Sequence, residues 1–234
     1  MIKYNNYDFQ KFSEQFSKLD AFELLKIMIK RIFSKKIVVT SSFGAESVVI
    51  LHLVSRIDKN IPIIFLDTGK LFPETLDYLN KLKKLLNLRN IKIQKPKLED
   101  LKINDQKGLL HKSNPELCCK IRKVFPLEKA IAPYDGWING RKRFHGLERS
   151  NIKKIEKLNN IIKINPLADW TFEKITNYIK KYKLPEHPLV KKGYKSIGCL
   201  PCTSKIADDD NHRSGRWKDL KKSECGIHVF NPSI

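Results

Sequence analysis

The sequence predicts an α/β fold: a mostly parallel sheet with flanking helices, followed by a mobile C-terminal tail. Three observations carry this. Short β-branched runs alternate with helical periodicity through the first hundred residues, the order expected of a parallel sheet joined by crossover helices. At 41% hydrophobic over 234 residues, the chain has enough apolar surface for a core. After about Gly193 the composition becomes polar and turn-rich, as in chain ends that are tied down by few contacts.

The elements follow in order. Phe9, Phe12 and Phe16 stand three to four residues apart, as do Leu24, Leu25, Ile27, Met28, Ile29 and Ile32, so residues 1–36 read as core-facing helices. Ile37-Val-Val-Thr40 reads as a strand, Ser41-Ser-Phe-Gly-Ala-Glu46 as a small-residue loop, and residues 48–54 as a helix. Ile61-Pro-Ile-Ile-Phe-Leu66 is a second strand and Asp67-Thr-Gly69 a turn. A helix then opens at Pro73-Glu74 and runs to about Leu86, and residues 90–94 form a third strand. In the second half, Trp137-Ile-Asn-Gly140 reads as a strand ending in a turn, residues 161–164 as a strand and residues 171–182 as a helix. No internal repeat or Gly/Ser linker interrupts this, so residues 1–234 are expected to form one domain. It comprises N-terminal helices (1–36), an α/β core (37–200) and a flexible tail (201–234). Ligands of such sheets bind outside the carboxyl ends of the strands, which places both small-residue loops at the site.

Several classes are excluded. No stretch approaches the roughly 18 uninterrupted apolar residues of a membrane span. The N-terminus, Met1-Ile-Lys-Tyr-Asn-Asn6, lacks the apolar core of a secretory signal, and the expected compartment is the cytoplasm. Five cysteines, an odd number, argue for metal binding or catalysis over a disulfide framework.

The chain carries 46 basic against 25 acidic residues, a formal charge of +21, which favours anionic partners. The alternative reading is that a lysine-rich composition merely solvates the surface. Arginine is scarcer, and six of nine lie in the second half: Arg122, Arg141, Arg143, Arg149, Arg213 and Arg216. Their planar forks suit two-point grip of an oxyanion. The loop Ser42-Phe-Gly-Ala-Glu-Ser47, between a strand and a helix, adds backbone amides to the helix N-terminus. It lacks the Gly-Lys-Ser/Thr ending of a Walker loop.

The cysteines allow two readings by spacing. Cys118-Cys119 and Cys199-Leu-Pro-Cys202 give four thiolates for an iron–sulfur cluster. Equally, Cys199, Cys202, Cys225 and His228 give a CxxC…CxxH set for structural zinc.

Five segments resemble one family. Phe65-Leu-Asp-Thr-Gly-Lys-Leu-Phe-Pro-Glu-Thr75, Cys118-Cys-Lys-Ile-Arg-Lys-Val-Phe-Pro-Leu127, Ser196-Ile-Gly-Cys-Leu-Pro-Cys-Thr203, Arg213-Ser-Gly-Arg-Trp217 and Glu224-Cys-Gly-Ile-His228 are similar to the assimilatory adenylyl-sulfate reductases. The resemblance implies an adenine-nucleotide hydrolase-like fold and reduction of adenylyl sulfate to sulfite and AMP. It further implies a [4Fe–4S] cluster on Cys118, Cys119, Cys199 and Cys202, with Cys225 as nucleophile. The related reductases of 3'-phosphoadenylyl sulfate share the nucleotide loops but typically lack the cysteine pairs. ATP pyrophosphatase relatives carry a glycine where this chain has Phe43, and many members of the resembled family carry glutamine where His145 stands.

The chemistry fits these parts. The sulfur of a phosphosulfate is electrophilic once the charge of its oxygens is offset. Arg213, Arg216, Lys123 and the loop carrying Arg141, Lys142 and Arg143 are the expected cations, and Ser41, Ser42 and Gly44 the expected donors. Asp67, Thr68 and Gly69 form the second substrate loop. A Cys225 thiolate, favoured by Lys221, Lys222 and His228, would attack, giving an S-sulfonated cysteine that thioredoxin or a glutaredoxin-like dithiol reduces. His52, His111, His187 and His212 read as structural or surface residues, and Asp208, Asp209 and Asp210 as a solvated turn. The expected partners are thus adenylyl sulfate and a dithiol, with no nucleic acid and no membrane; a homo-oligomer is compatible. The rivals are a 3'-phosphoadenylyl-sulfate reductase and, in another class, a basic zinc-ribbon protein binding nucleic acid.

Overall fold

The computed structural model describes residues 6–207, 212–218, 222, 224 and 226–228. Cys225, Lys221 and the three aspartates at 208–210 lie outside the described residues. Among the described residues six strands form one sheet: β1 (Ile37–Thr40), β2 (Ile63–Leu66), β3 (Ile91–Gln94), β4 (Gly136–Ile138), β5 (Ile155–Leu158) and β6 (Ile161–Ile164). Their order is β3-β2-β1-β4-β6-β5, all parallel except β5, which runs antiparallel to β6. The chain moves one way from β1 through β3, then returns to β1's other side with β4. The loops after β1 and β4 therefore diverge, opening a crevice at the carboxyl edge.

Strand alternation sorts the core into two layers. Val39, Ile63, Phe65, Ile138 and Ile164 point to one face, under α1 (Asn6–Ser17), α2 (Ala21–Ile27), α3 (Ser47–Ser55), α4 (Pro73–Leu85) and, further along the chain, α9 (Phe172–Lys181). Val38, Ile64, Trp137 and Ile161 point to the other, with Leu127 and Ile131. Helix α3 is buried almost all round, which fits its unbroken run Val48-Val-Ile-Leu and its place against the sheet centre.

Helices α5 (Leu98–Asn104), α6 (Leu110–Ser113), α7 (Pro115–Cys119) and α8 (Phe125–Ile131) fill the connection from β3 to β4. Neither they nor β5 leave a clear signature in the sequence. The first three are short and α5 buries none of its residues, so they carry little periodicity. β5, Ile-Glu-Lys-Leu, is a charged edge strand. The second strand begins at Ile63, not Ile61, because Pro62 has no N–H for the ladder. Between α7 and α8 residues Lys120–Val124 make a π-helical turn, just before Pro126, whose missing N–H cannot serve the preceding turn. That turn presents Arg122 and Lys123.

Parts of the C-terminal segment are packed where they are described. Trp217 is 4% exposed, Ile227 packs against the cluster containing Trp137, and the His228 ring stacks on Trp137 at 5.8 Å. Among the described residues no helix is long and apolar enough to cross a membrane.

Candidate active site

A cleft of about 230 Å³ opens where the loops after β1 and β4 part. From the β1 side it is lined by Ser41, Ser42, Gly44 and Glu46. Phe43 adopts a positive φ of 49° while its fully buried ring meets Phe65 edge-on at 5.4 Å. The backbone thus takes a glycine-like turn and the side chain is spent on the core, leaving the loop's polar groups at the cleft. Ser41 Oγ accepts from Phe43 N, and Ser47 Oγ donates to the Gly44 carbonyl, which closes the turn into α3.

The β4 side contributes Asn139, Gly140, Arg141 and Lys142. Asn139 Oδ1 accepts from Arg141 N at 3.2 Å. Asn139 Nδ2, Arg141 Nε and His228 Nδ1 are shut off from solvent with no hydrogen-bond partner among the described residues. All three residues line the cleft, so it offers unspent polar groups to a polar ligand. Arg141 Nη1 lies 3.6 Å from Glu156. Lys142 Nζ contacts Glu46 at 2.5 Å, and His145 Nε2 reaches the same carboxylate oxygen at 2.9 Å. Burial pushes the Glu46 carboxyl up, but Lys142 and His145 outweigh it and hold the group well below the usual range. Burial pushes the His145 imidazole down to about 4, so it is neutral at neutral pH.

The third wall comes from the C-terminal segment. Arg216 stacks on Trp217, 4.3 Å from the ring centre, and donates from Nε to the Cys202 carbonyl at 3.1 Å. Gly198 makes room for it: a Cβ there would stand 2.3 Å from the guanidinium. Glu224 is gripped by Arg149, with Arg213 Nη2 at 3.4 Å. Lys163 Nζ lies 5.1 Å from the centre of the Trp137 ring and donates to the His228 carbonyl at 3.4 Å. Burial and neighbouring Arg141 push the Lys163 ammonium down to about 8. Burial, with Lys163 and three arginines, drives the His228 imidazole well below its ordinary range. Its Nδ1, without a hydrogen-bond partner among the described residues, is available to a group in the cleft.

Beside the cleft a second, narrow cavity is lined by Cys118, Cys119, Cys199 and Cys202, together with Arg122, Lys123 and His111. None of the four forms a disulfide among the described residues. Lys123 and Cys199 line both cavities. The Cys199 Sγ and Thr68 Oγ1 are 3.2 Å apart. Burial pushes the Cys199 thiol up, but Lys123, Thr68 and Arg216 more than offset this and leave it below the ordinary value. Burial keeps the Cys118 and Cys202 thiols high. Among the described residues no three His, Cys, Asp or Glu side chains converge as ligands of a single metal ion. The donor chemistry nevertheless fits a group that takes one thiolate at each of several corners, with cations alongside to offset the charge. Of the zinc set, Cys199 and His228 line the cleft and Cys202 the second cavity, while Cys225 lies outside the described residues.

Of the residues singled out in the sequence, Ser41, Ser42, Gly44, Thr68, Lys123, Arg141, Arg213, Arg216 and His228 come together at the cleft. Others do not line it. Arg143 turns away, pairing with Asp169 and donating to the Ile152 carbonyl, so the substrate contact expected of it is corrected. Asp67 and Gly69 shape the turn instead: Asp67 Oδ1 accepts from Gly69 N at 3.0 Å, and Gly69 takes a φ of 68°. Lys222, expected near the thiolate, pairs with Glu116 on α7. Glu46, Asn139, Lys163 and Glu224 carry no role assignable from sequence alone. Lys163 carried one signal, an ionisable residue inside the buried strand Ile-Ile-Lys-Ile.

A family model described as the phosphoadenosine phosphosulfate reductase domain matches residues 36–205. Over 211 residues the chain is 44% identical to the adenosine 5'-phosphosulfate reductase of Mesorhizobium japonicum, covering 90% of this chain and 83% of that protein. Over 193 residues it is 46% identical to the protein of the same name from Chelativorans sp., covering 82% and 79%. Among solved structures, phosphoadenylyl-sulfate reductase from Candida auris, as a phosphate complex, superposes with a TM-score of 0.73 at 27% identity, covering 88% of this chain and 99% of that one. The NH3-dependent NAD synthetase from Campylobacter jejuni shares the fold alone, with a TM-score of 0.51 at 19% identity, covering 80% and 79%.

Proposed function

The chain belongs to the phosphoadenosine phosphosulfate reductase domain family, and we propose that it reduces adenylyl sulfate to sulfite and AMP in assimilatory sulfate reduction. One observation supports this above others. A cleft rich in cations and unspent polar groups shares Lys123 and Cys199 with a cavity lined by four cysteines. Relatives at 44% and 46% identity named adenosine 5'-phosphosulfate reductase accord with it.

The substrate's phosphosulfate would lie against Arg213, Arg216, Arg141 and Lys123, with donors from Ser41, Ser42, Asn139 and the Gly44 amide. These groups are fixed before the reaction and lie in a half-enclosed site, so they offset the charge on the sulfonate oxygens without reorganising. The Cys225 thiolate then attacks sulfur. Its electron pair forms the S–S bond, the S–O bond breaks, and the released pair leaves on the phosphate oxygen of AMP. The product is a cysteine S-sulfonate. A dithiol of the thioredoxin or glutaredoxin type supplies two electrons: one of its thiolates attacks Cys225 sulfur and expels sulfite, and its second thiol frees Cys225 by closing a disulfide. Cys118, Cys119, Cys199 and Cys202 would hold a [4Fe–4S] cluster, which when bound supplies a fixed local charge next to Lys123.

Reduction of 3'-phosphoadenylyl sulfate is the second reading, favoured by the name of the superposed Candida auris enzyme. Sulfite release from each sulfonucleotide, with thioredoxin present, separates the two. Adenylyl sulfate is expected to be the substrate turned over. Sulfite from the 3'-phosphorylated compound alone would reverse the assignment, and sulfite from neither would remove it.

A further inference from the structure

One carboxylate stands out of place. Glu224 is inserted among Arg149, Arg213 and Arg141 at the cleft, where by charge alone it weakens the attraction for an anionic substrate. Its grip is two-pointed: Arg149 Nε donates to Oε1, and Nη2 donates to Oε2 at 2.9 Å. Arg149 is itself buried and held from behind. Its Nη1 lies 3.3 Å from His145 Nδ1. A guanidinium cannot accept, so Nδ1 accepts and the ring proton sits on Nε2, which donates to Glu46. Glu46 ends the loop leading into α3 and is fixed from its other side by Lys142. A line of side chains, Lys142, Glu46, His145, Arg149 and Glu224, thus runs from the loop after β1 to the residue that precedes Cys225. On the other side of Cys225 the chain is tied again, by Lys163 on the His228 carbonyl and by the stack on Trp137.

We propose that Glu224 is a positioning residue for the nucleophile: through Arg149, and His145 and Glu46 behind it, it fixes the chain beside Cys225 relative to the substrate loop. The inference rests on the reading of Cys225 as nucleophile. It assigns Arg149 to the protein's own tail, while Arg213, Arg216, Arg141 and Lys123 keep the substrate role proposed above. A bidentate fork is the appropriate tether, because it fixes direction as well as distance.

The test measures the single-turnover rate of adduct formation on Cys225 from adenylyl sulfate, and AMP affinity by calorimetry. The proteins are wild type, E224Q, R149Q and R149Q/E224Q, the last of which leaves no unpaired charge if a single variant folds poorly. E224Q and R149Q are each expected to slow adduct formation by about 100-fold, the scale on which a displacement of about 1 Å slows a positioned reaction. AMP affinity of E224Q should not weaken. The double variant should be no slower than either single one, because both remove the same tether. Wild-type adduct rates in E224Q would overturn the proposal, as would losses that multiply in the double variant. Tighter AMP binding with an unchanged adduct rate would also overturn it, and would make Glu224 a mere competitor for the anion seat. If wild type forms no adduct on Cys225, the functional reading fails, and this proposal with it.

Discussion

The Asp105–Arg122 pair ties together the segments that carry the cysteines and the second substrate loop, and removing its negative charge should loosen them. Asp105 Oδ2 meets Arg122 Nη2 at 2.5 Å, with side-chain exposures of 1% and 8%. Asp105 Oδ1 also accepts from Leu110 N at 2.8 Å, and Arg122 Nη1 donates to the Thr68 carbonyl at 2.7 Å. The pair therefore joins the end of α5, the turn after β2 and the π-helical turn following Cys118 and Cys119. D105N keeps the shape but leaves the guanidinium buried without its counter-charge, which costs about 3–5 kcal/mol. At about 2–4 °C per kcal/mol for a chain of this size, the midpoint of thermal unfolding should fall by roughly 6–20 °C. Circular dichroism at pH 7 measures it. D105N/R122M removes both charges and should recover part of the loss, less about 1 kcal/mol for the Thr68 hydrogen bond. The pH dependence has a fixed sign. Burial pushes the Asp105 carboxyl up, but Arg122 and the Leu110 amide outweigh it and leave the group below its ordinary value. The pair's stabilisation is thus fully present above about pH 4 and fades as pH falls through the lower folded value, so the gap between wild type and D105N should narrow in acid. A D105N variant within about 1 kcal/mol of wild type at pH 7, or a double variant less stable than the single, would refute the reasoning.

Anaerobically purified protein is expected to carry about four irons and four sulfides per chain, and C199S to lose both; stoichiometric zinc in their place would contradict the ligand assignment. R213K and R216K keep their charge but lose the fork, so turnover should fall by about 10–1000-fold, whereas R143K, whose fork faces Asp169 away from the cleft, should stay within about threefold of wild type. Equal losses in all three would show that the cleft's cations are wrongly sorted. His187 is fully buried, accepts from Leu189 N at Nδ1, and lies 3.1 Å from Thr75 Oγ1 through Nε2; burial lowers it to about 4. Its folded value is depressed, so the stability it protects is present above about pH 6.5 and is lost as pH falls towards 4, by up to roughly 3 kcal/mol. Urea unfolding across that range should show the slope in wild type and a shallower one in H187Q; equal slopes would mean that His187 does not titrate there.

The parallel sheet was legible because β1, β2 and α3 are buried on both sides and therefore spell out unbroken apolar runs. The helices between β3 and β4 were not: α5 buries nothing, and α7 is only five residues long before it gives way to a π-helical turn, so neither imposes a period. At the site, the cysteine pairs and paired arginines stood out because residue type alone signals their chemistry. Orientation did not. Arg141 and Arg143 are two residues apart in one basic loop, yet one faces the cleft and the other faces Asp169, a partner 26 residues further on that no local pattern announces. Glu46 and Glu224 were passed over for the same reason. An acid acquires meaning there from Lys142, His145 and Arg149, which only the folded chain brings to it. His228 shows the limit of reading charge from sequence, since burial and the neighbouring Lys163 lower its affinity for a proton.

The central claim is that this cleft delivers a phosphosulfate sulfur to Cys225. Its most direct test is peptide mass mapping of wild-type protein mixed with adenylyl sulfate in the absence of any dithiol. A gain of about 80 Da, one SO₃ group, is expected on the peptide containing Cys225 together with one equivalent of AMP, and thioredoxin should then remove the gain as sulfite. AMP release with the added mass on any other cysteine, or sulfite release with no adduct at any stage, would contradict the account.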